Sequence, residues 1–92
     1  MNIQFINEVL KTNDKGVRVV FTKADGAERI MLATKNPSLI PNEERETESS
    51  RPTPTEACRV YDIELGAWRS FRYDRLIELK FFDSETEVIY KL

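Results

Sequence analysis

"VYDIELGAWRSFRYDRLIELK", residues 60–80, contains the strongest strand pattern in the chain. Residues 57–64 and 68–73 are rich in side chains that favour strands, and Leu65-Gly66-Ala67 between them is typical of a tight turn. Asp74-Arg75 is a short break between the strand at residues 68–73 and the next one. Residues 76–82 then alternate, and we expect their inward face to carry Ile77, Leu79 and Phe81.

A second hairpin is predicted nearer the N-terminus. Residues 17–23 alternate, and one face carries Val17, Val19 and Phe21. Asp25-Gly26 follows, and this dipeptide between two strand-forming runs is a strong hairpin signal. Residues 27–34 are the expected return strand, with Ile30 and Leu32 facing inward.

Residues 3–12 form an amphipathic helix in this interpretation. Asn2 is the expected N-cap, Gly16 lies just past the end, and one apolar stripe contains Ile3, Ile6, Val9 and Leu10. The stripe either covers one end of the sheet within the chain or forms a dimer contact. Phe5 lies off the centre of the stripe, which makes it a candidate for exposure.

Adding a last strand at residues 86–91, the chain has one helix and five or six short strands, which favours a small barrel. We expect one domain over residues 1–92. A domain of this size buries only about 60–65% of its unfolded surface, so its core is thin and a large cavity is not expected.

Residues 36–55 are predicted to be a long loop, because they contain all four prolines of the chain. Loops of such length are uncommon in small domains and are either functional or disordered. Glu43, Glu44, Arg45, Glu46 and Glu48 form an acidic run. This run either docks on a basic partner, imitates a nucleic-acid backbone, or is simply solvated.

Composition excludes several classes of function. The chain has 92 residues, a net charge of −2, no histidine and one cysteine. Ser–His and Cys–His catalysis and Cys/His zinc sites are therefore impossible within it, and no disulfide can form. We expect no cofactor and no metal. No apolar run approaches the roughly 18 residues that span a bilayer. No leader is evident, so we expect a cytoplasmic protein without membrane contact.

Arginines and aromatic residues interleave in the segment from Tyr61 to Arg75. The candidate binding face consists of Tyr61, Arg69, Arg72, Tyr73 and Arg75, with help from loop residues 42–51. Such a face is typical of protein–protein contacts, and also of barrels that stack nucleic-acid bases on aromatic rings. In the third interpretation the aromatic rings are core and the arginines pair with neighbouring carboxylates.

A catalytic alternative rests on Asp62, Glu64, Glu78 and Lys80. Carboxylates with an E-x-K tripeptide on strands are the pattern of a metal-dependent nuclease. The same residues are also explained by solvated strand faces. Cys58 has no histidine partner in the chain, and we expect a packed thiol there.

Three blocks of the sequence resemble a known family. They are the Asp25-Gly26 hairpin, the run Asn36-Pro37-Ser38-Leu39-Ile40-Pro41, and Val60-Tyr61-Asp62 with Trp68-Arg69-Ser70-Phe71-Arg72. Over about residues 16–80 the chain is similar to small, mostly phage-encoded WYL-like proteins. The resemblance implies an Sm-like or SH3-like barrel and a viral origin. It implies no reaction, because such barrels host many unrelated functions.

The sequence therefore predicts a mainly β protein, an SH3/Sm-like barrel of five to six strands with an N-terminal α-helix. The function that we expect is a non-enzymatic interaction module, a phage accessory protein acting in the host cytoplasm. Its partner is expected to be a host or viral protein, with nucleic acid as the alternative. The sequence is also compatible with a homo-oligomer of this chain.

Overall fold

The structure is a computed structural model that describes residues 2–45 and 56–92. Within these residues the chain forms helix α1 (Ile3–Thr12) and six strands. The strands are β1 (Val17–Thr22), β2 (Glu28–Thr34), β3 (Ala57–Asp62), β4 (Ala67–Arg72), β5 (Leu76–Asp83) and β6 (Thr86–Lys91). Short 3-10 turns lie at Pro37–Leu39, Asn42–Glu44 and Tyr73–Arg75.

All six strands belong to one antiparallel sheet with the order β4-β3-β2-β1-β5-β6. In a flat sheet β1 and β4 would lie about 14 Å apart, since neighbouring strands are spaced by about 4.8 Å. Instead the rings of Phe21 on β1 and Phe71 on β4 stack at 5.6 Å between centroids. The sheet therefore curls on itself, and the predicted mainly β fold with an N-terminal helix is confirmed.

Helix α1 packs on the core through the stripe expected from its sequence. Ile6, Val9 and Leu10 are buried in the main core cluster, and Ile3 packs against it. Asn2 caps the helix, because its side chain accepts a hydrogen bond from the Phe5 amide at 3.0 Å. The stripe is thus buried within the chain. Among the described residues no helix is both long and apolar enough to cross a membrane.

The inward face of β2 differs from the prediction. Ile30 is 59% exposed, whereas Met31 and Ala33 are buried in the core. The pairing with β1 explains this difference, because Met31 lies opposite Val19 and Ala33 opposite Val17. Directly opposed residues share a face, so the two core valines select the other set of side chains.

The inward face of β5 is also only partly as expected. Leu79 is buried, but Ile77 and Phe81 are only half-buried, and Leu76 joins the core instead. A bulge is responsible. The pairing of β1 with β5 passes from Val20–Glu78 directly to Phe21–Leu76, so Ile77 is an extra residue. An inserted residue shifts the alternation of side chains by one position.

The turn between β3 and β4 begins earlier than predicted. Strand β3 ends at Asp62, which pairs with Ala67, and residues 63–66 form the loop. The buried Asp62 carboxylate accepts a hydrogen bond from the Leu65 amide at 2.9 Å. It also faces the Arg29 guanidinium at 3.8 Å. Asp62 therefore has a structural task at this turn.

The predicted loop 36–55 is structured in its described part. The Asn36 side chain accepts a hydrogen bond from the Ser38 amide at 3.0 Å and caps the first 3-10 turn. Arg45 donates from Nε to the carbonyl oxygens of Pro37 and Ile40, at 2.9 and 3.1 Å. Residues 36–45 are therefore folded back on themselves. The remainder of the predicted loop, with Glu46 and Glu48, lies outside the described residues.

Candidate functional site

The two tyrosines of the predicted binding face are buried. Tyr61 and Tyr73 each expose 4% of their surface. Tyr61 meets the ring of Trp68 edge-on, with centroids 5.6 Å apart. Tyr73 packs in the core beside Phe71. The structure therefore does not bring all five predicted residues together on one exposed face.

The three arginines of that prediction are exposed, and we call Arg69, Arg72 and Arg75 the arginine edge. Arg69 and Arg72 lie on β4, the outermost strand on its side of the sheet, and Arg75 lies in the 3-10 turn that follows. Successive residues of a strand point to opposite faces, so Arg69 and Arg72 lie on opposite faces of β4. An edge strand lets both guanidinium groups reach solvent.

The three guanidinium groups differ in their contacts. Arg72 forms a two-pronged pair with Asp74, at 3.0 and 3.1 Å. This hydrogen-bonded pair raises the pKa of Arg72 and lowers the pKa of Asp74. Arg75 donates to the Lys23 carbonyl oxygen at 3.4 Å. Within residues 2–45 and 56–92, Arg69 has no ion pair or side-chain hydrogen bond.

Trp68 anchors the outer face of the β3–β4 hairpin. Its indole Nε1 donates to the Glu44 carbonyl oxygen at 2.7 Å, and the Arg59 guanidinium lies 5.1 Å from the ring centroid. Such a cation–π contact is favourable over a Trp face. The ring is thus held between Arg59, Tyr61 and the second 3-10 turn of the loop.

Sequence reasoning left Arg59 and Trp68 out of the site, although a signal for them exists. Arg59 and Tyr61 are two residues apart on one strand, so they share a face. The short turn places Trp68 opposite Tyr61. The contact with Glu44 has no such signal, because it joins segments that are distant in the chain.

A polar cluster ties Tyr73 to the helix. The Asn7 amide donates to the Tyr73 hydroxyl at 2.7 Å and to the Ile3 carbonyl at 2.9 Å, while Lys35 Nζ donates to Asn7 Oδ1. Burial raises the pKa of Tyr73 to about 12. Burial also raises the pKa of the nearby Cys58 thiol, which is consistent with the expected packed cysteine.

We expect the Tyr73 hydroxyl to make stability pH-dependent in the alkaline range. Its pKa is about 12 in the fold, against 10.0 for the free group, so the neutral form is favoured by folding. The contribution of the Tyr73 hydroxyl to the free energy of unfolding is complete below about pH 10 and is lost as the pH rises towards about 12. Ionisation of this hydroxyl in the unfolded state should therefore lower the free energy of unfolding by about 1.4 kcal/mol at about pH 11.

Urea unfolding at about pH 8 and about pH 11 measures this loss. Tyr73→Phe is the matched control, since it keeps the ring and removes the titrating group. Groups that do not contact Tyr73 titrate equally in both proteins, so the variant should lose less stability than the wild type between the two pH values. An identical loss in the two proteins would contradict the assignment to Tyr73.

The residues of the catalytic alternative are not brought together. Asp62 is buried at the end of β3 and Glu64 is exposed in the following loop. Glu78 and Lys80 lie on β5, which is separated from β3 by β2 and β1. Within the described residues no three His, Cys, Asp or Glu side chains are arranged to hold a metal ion. This set therefore does not form the predicted site.

Comparison with known proteins identifies the family. Residues 8–77 match the model of the WYL_2 family, described as an Sm-like SH3 beta-barrel fold. The chain belongs to this family. The match begins inside α1 and ends in β5, so it contains the arginine edge, Trp68 and Tyr73. The predicted resemblance is thereby confirmed, although the match begins earlier than the predicted range 16–80, inside α1, and ends slightly before it.

A phage relative agrees with this assignment. The chain is 44% identical over 78 residues to the "Uncharacterized 11.5 kDa protein in Gp31-cd intergenic region" of Enterobacteria phage T4. The alignment covers 80% of this chain and 76% of the relative. No solved structure matches the chain. The family model supports the fold and the relative supports a phage origin, and both leave the function to be argued from the site.

Proposed function

We propose that this protein is a non-enzymatic interaction module of a phage, which binds a protein partner in the host cytoplasm through the arginine edge. The observation that carries the proposal is Arg69. Its guanidinium is exposed on an edge strand and has no ion-pair partner within the described residues. Exposed arginines are well suited to bind carboxylates of another protein in two-pronged geometry.

The Arg72–Asp74 pair is compatible with this role. Both side chains are more than half exposed, at 55% and 64%. Solvent-exposed ion pairs contribute little to stability, so a partner carboxylate can replace Asp74 at little cost. Trp68 shares a face of β4 with Arg72 and is held in place by its hydrogen bond to Glu44.

A protein partner fits the site better than nucleic acid. Base stacking needs open aromatic faces, but Tyr61 and Tyr73 are buried and Arg59 lies over the Trp68 ring. The chain also carries a net charge of −2, which supplies no general attraction for phosphates. The proposal includes no bond-making step, because the candidate catalytic residues are dispersed over the sheet.

We expect charge reversal of Arg69 to abolish partner capture without loss of stability. Tagged wild type and Arg69→Glu are used to capture host proteins from nuclease-treated lysate, and captured bands are quantified. Capture should fall by at least about tenfold, since a lost charge-assisted contact costs about 1.5–3 kcal/mol. The melting temperature should stay within about 2 °C, as for surface substitutions generally.

Arg18→Glu is the matched control, because Arg18 is an exposed arginine on β1, outside the arginine edge. It should capture the partner as well as the wild type. Equal losses of partner capture in both variants would mean that capture depends on the overall charge of the protein and not on Arg69. Material that disappears on nuclease treatment and elutes steeply with salt would instead establish the nucleic-acid alternative.

A further inference from the structure

A groove of about 700 Å³ opens between α1 and the β5–β6 hairpin. Its floor is apolar and consists of Phe5, Val9, Phe81, Phe82 and Val88. Its rim carries Asp14, Lys15, Asp83 and Ser84. We call it the α1–hairpin groove. Its volume lies within the range of about 300–1,000 Å³ that is typical of ligand pockets. A groove of this size was not expected from so short a chain.

The floor exposes an aromatic ring. Phe82 is 46% exposed, and the Lys15 ammonium lies 5.7 Å from its ring centroid. Phe5 is half-buried, packs on Tyr90 at 5.0 Å between centroids, and turns part of its surface towards the groove. Exposed apolar surface in a concave site is available for an apolar side chain of another molecule.

The groove is held open by a direct bond between its two walls. The Asn13 side chain, just past the end of α1, donates to the Phe82 carbonyl oxygen at 3.0 Å. Ser84, at the tip of the hairpin, has φ of 57°, which is unfavourable for a residue other than glycine. A positive φ is what a two-residue hairpin loop such as Ser84-Glu85 requires, so the turn fixes the position of the hairpin tip. A preformed groove binds at a lower entropic cost than one that must assemble.

The charge at the rim selects the ligand. Two carboxylates, Asp14 and Asp83, lie there against one ammonium, Lys15, which is already engaged with the Phe82 ring. In the described part of the chain neither carboxylate has an ion-pair partner. Cations are therefore attracted, while phosphates of nucleic acid or lipid are repelled.

We propose that the α1–hairpin groove is a second docking site, which takes a short protein segment with an apolar side chain flanked by lysine or arginine. The apolar side chain packs on Phe82 and Phe5, and the flanking cations face Asp14 and Asp83. The groove is lined by α1 and the β5–β6 hairpin, whereas the arginine edge lies on and just after β4, at the other end of the strand order. This docking site is independent of partner binding at the arginine edge.

The test is an amide-resolved NMR titration with two peptides that differ only in charge. The probes are Ac-Lys-Phe-Leu-Lys-NH₂ and Ac-Glu-Phe-Leu-Glu-NH₂. The lysine peptide should shift the amides of Lys15, Phe82 and Ser84 but not that of Arg69. The glutamate peptide should bind at least about tenfold more weakly, because its charges oppose the rim.

Two variants and one control make the test specific. Phe82→Ala should weaken binding of the lysine peptide about tenfold, because an apolar contact is lost. Asp83→Lys should remove the preference of the protein for the lysine peptide over the glutamate peptide. Ile89→Ala is the control, because Ile89 is a 50% exposed residue of the same hairpin and lies outside the groove. It should bind as the wild type does.

Three outcomes of the peptide titration would overturn the proposal. They are equal affinity for both peptides, absence of shifts at the groove amides, and shifts confined to other surfaces. Groove shifts that grow with protein concentration in the absence of peptide would also overturn it, since they would identify a second copy of this chain as the occupant.

Discussion

Phe71→Ala is expected to lower the free energy of unfolding by about 3–5 kcal/mol, the usual cost of truncating a buried phenylalanine. Phe71 is 3% exposed, stacks on Phe21 at 5.6 Å and meets Tyr73 at 6.1 Å between ring centroids. It therefore fills the space between β4, at one end of the strand order, and β1, three strands away in the same sheet. A small domain has only about 5–15 kcal/mol of stability, so this loss is a large fraction of the total.

Phe82→Ala is the matched control for this prediction. It removes the same ring from another strand, but Phe82 is half-exposed and lies at the far side of the sheet. We expect it to cost less than about 1 kcal/mol. Thermal unfolding followed by circular dichroism should show Phe71→Ala melting at least about 12 °C below the wild type. Similar melting temperatures for the two variants would contradict the curled sheet.

Gly16→Ala is expected to cost about 2–4 kcal/mol for two physical reasons. Gly16 has φ of +87°, a backbone conformation that side chains with a Cβ disfavour. It is also buried, and a Cβ there would lie 2.9 Å from Ile63 Cδ1 and 3.2 Å from Leu32 Cγ. The Ile63 methyl is free to move aside, but the branch point of Leu32 is more constrained.

The comparison with Gly26→Ala separates the two contributions. Gly26 has φ of +89°, nearly the same backbone conformation, but no atom lies within 4 Å of its would-be Cβ. The change there should cost only about 1–2 kcal/mol. Urea unfolding of both variants measures the difference, which reports the close approach of Leu32 and Ile63 to Gly16. Equal costs would mean that packing against Gly16 contributes nothing.

Elements with strong local signals were predictable from the sequence. Helix Ile3–Thr12 has the predicted bounds, because its cap and its apolar stripe are both local features. Strand β1 buries Val17, Val19 and Phe21 as predicted, since strict alternation determines a single inward face. The hairpin around Asp25-Gly26 also follows from a local signal, because Gly26 readily adopts the positive φ that its turn requires.

The inward face of β2 shows where local patterns are insufficient. Residues 30–33, Ile-Met-Leu-Ala, are apolar on both faces, so alternation alone cannot choose between them. Pairing with Val17 and Val19 makes the choice. The bulge in β5 is likewise a property of pairing, because one extra residue on a strand is visible only against its partner.

For the candidate site, only the exposure of its charged residues was predictable from the sequence. Exposed arginines on a strand are expected, because burying a guanidinium is costly. The positions of Tyr61 and Tyr73 depended on what packs against them. The Asn7 amide reaches the Tyr73 hydroxyl from 66 positions away in the chain, and no local pattern contains that contact.

The helix, the hairpins, the mainly β class and the absence of histidine chemistry were all predictable, because each depends on neighbouring residues or on composition. The burial of particular aromatic rings, the curling of the sheet and the groove between α1 and the β5–β6 hairpin were visible only in the folded molecule. Those properties come from contacts between distant segments, such as Phe21 with Phe71 and Asn13 with Phe82. Such contacts are selected by the packing of the whole chain, which minimises exposed apolar surface and unpaired polar groups together.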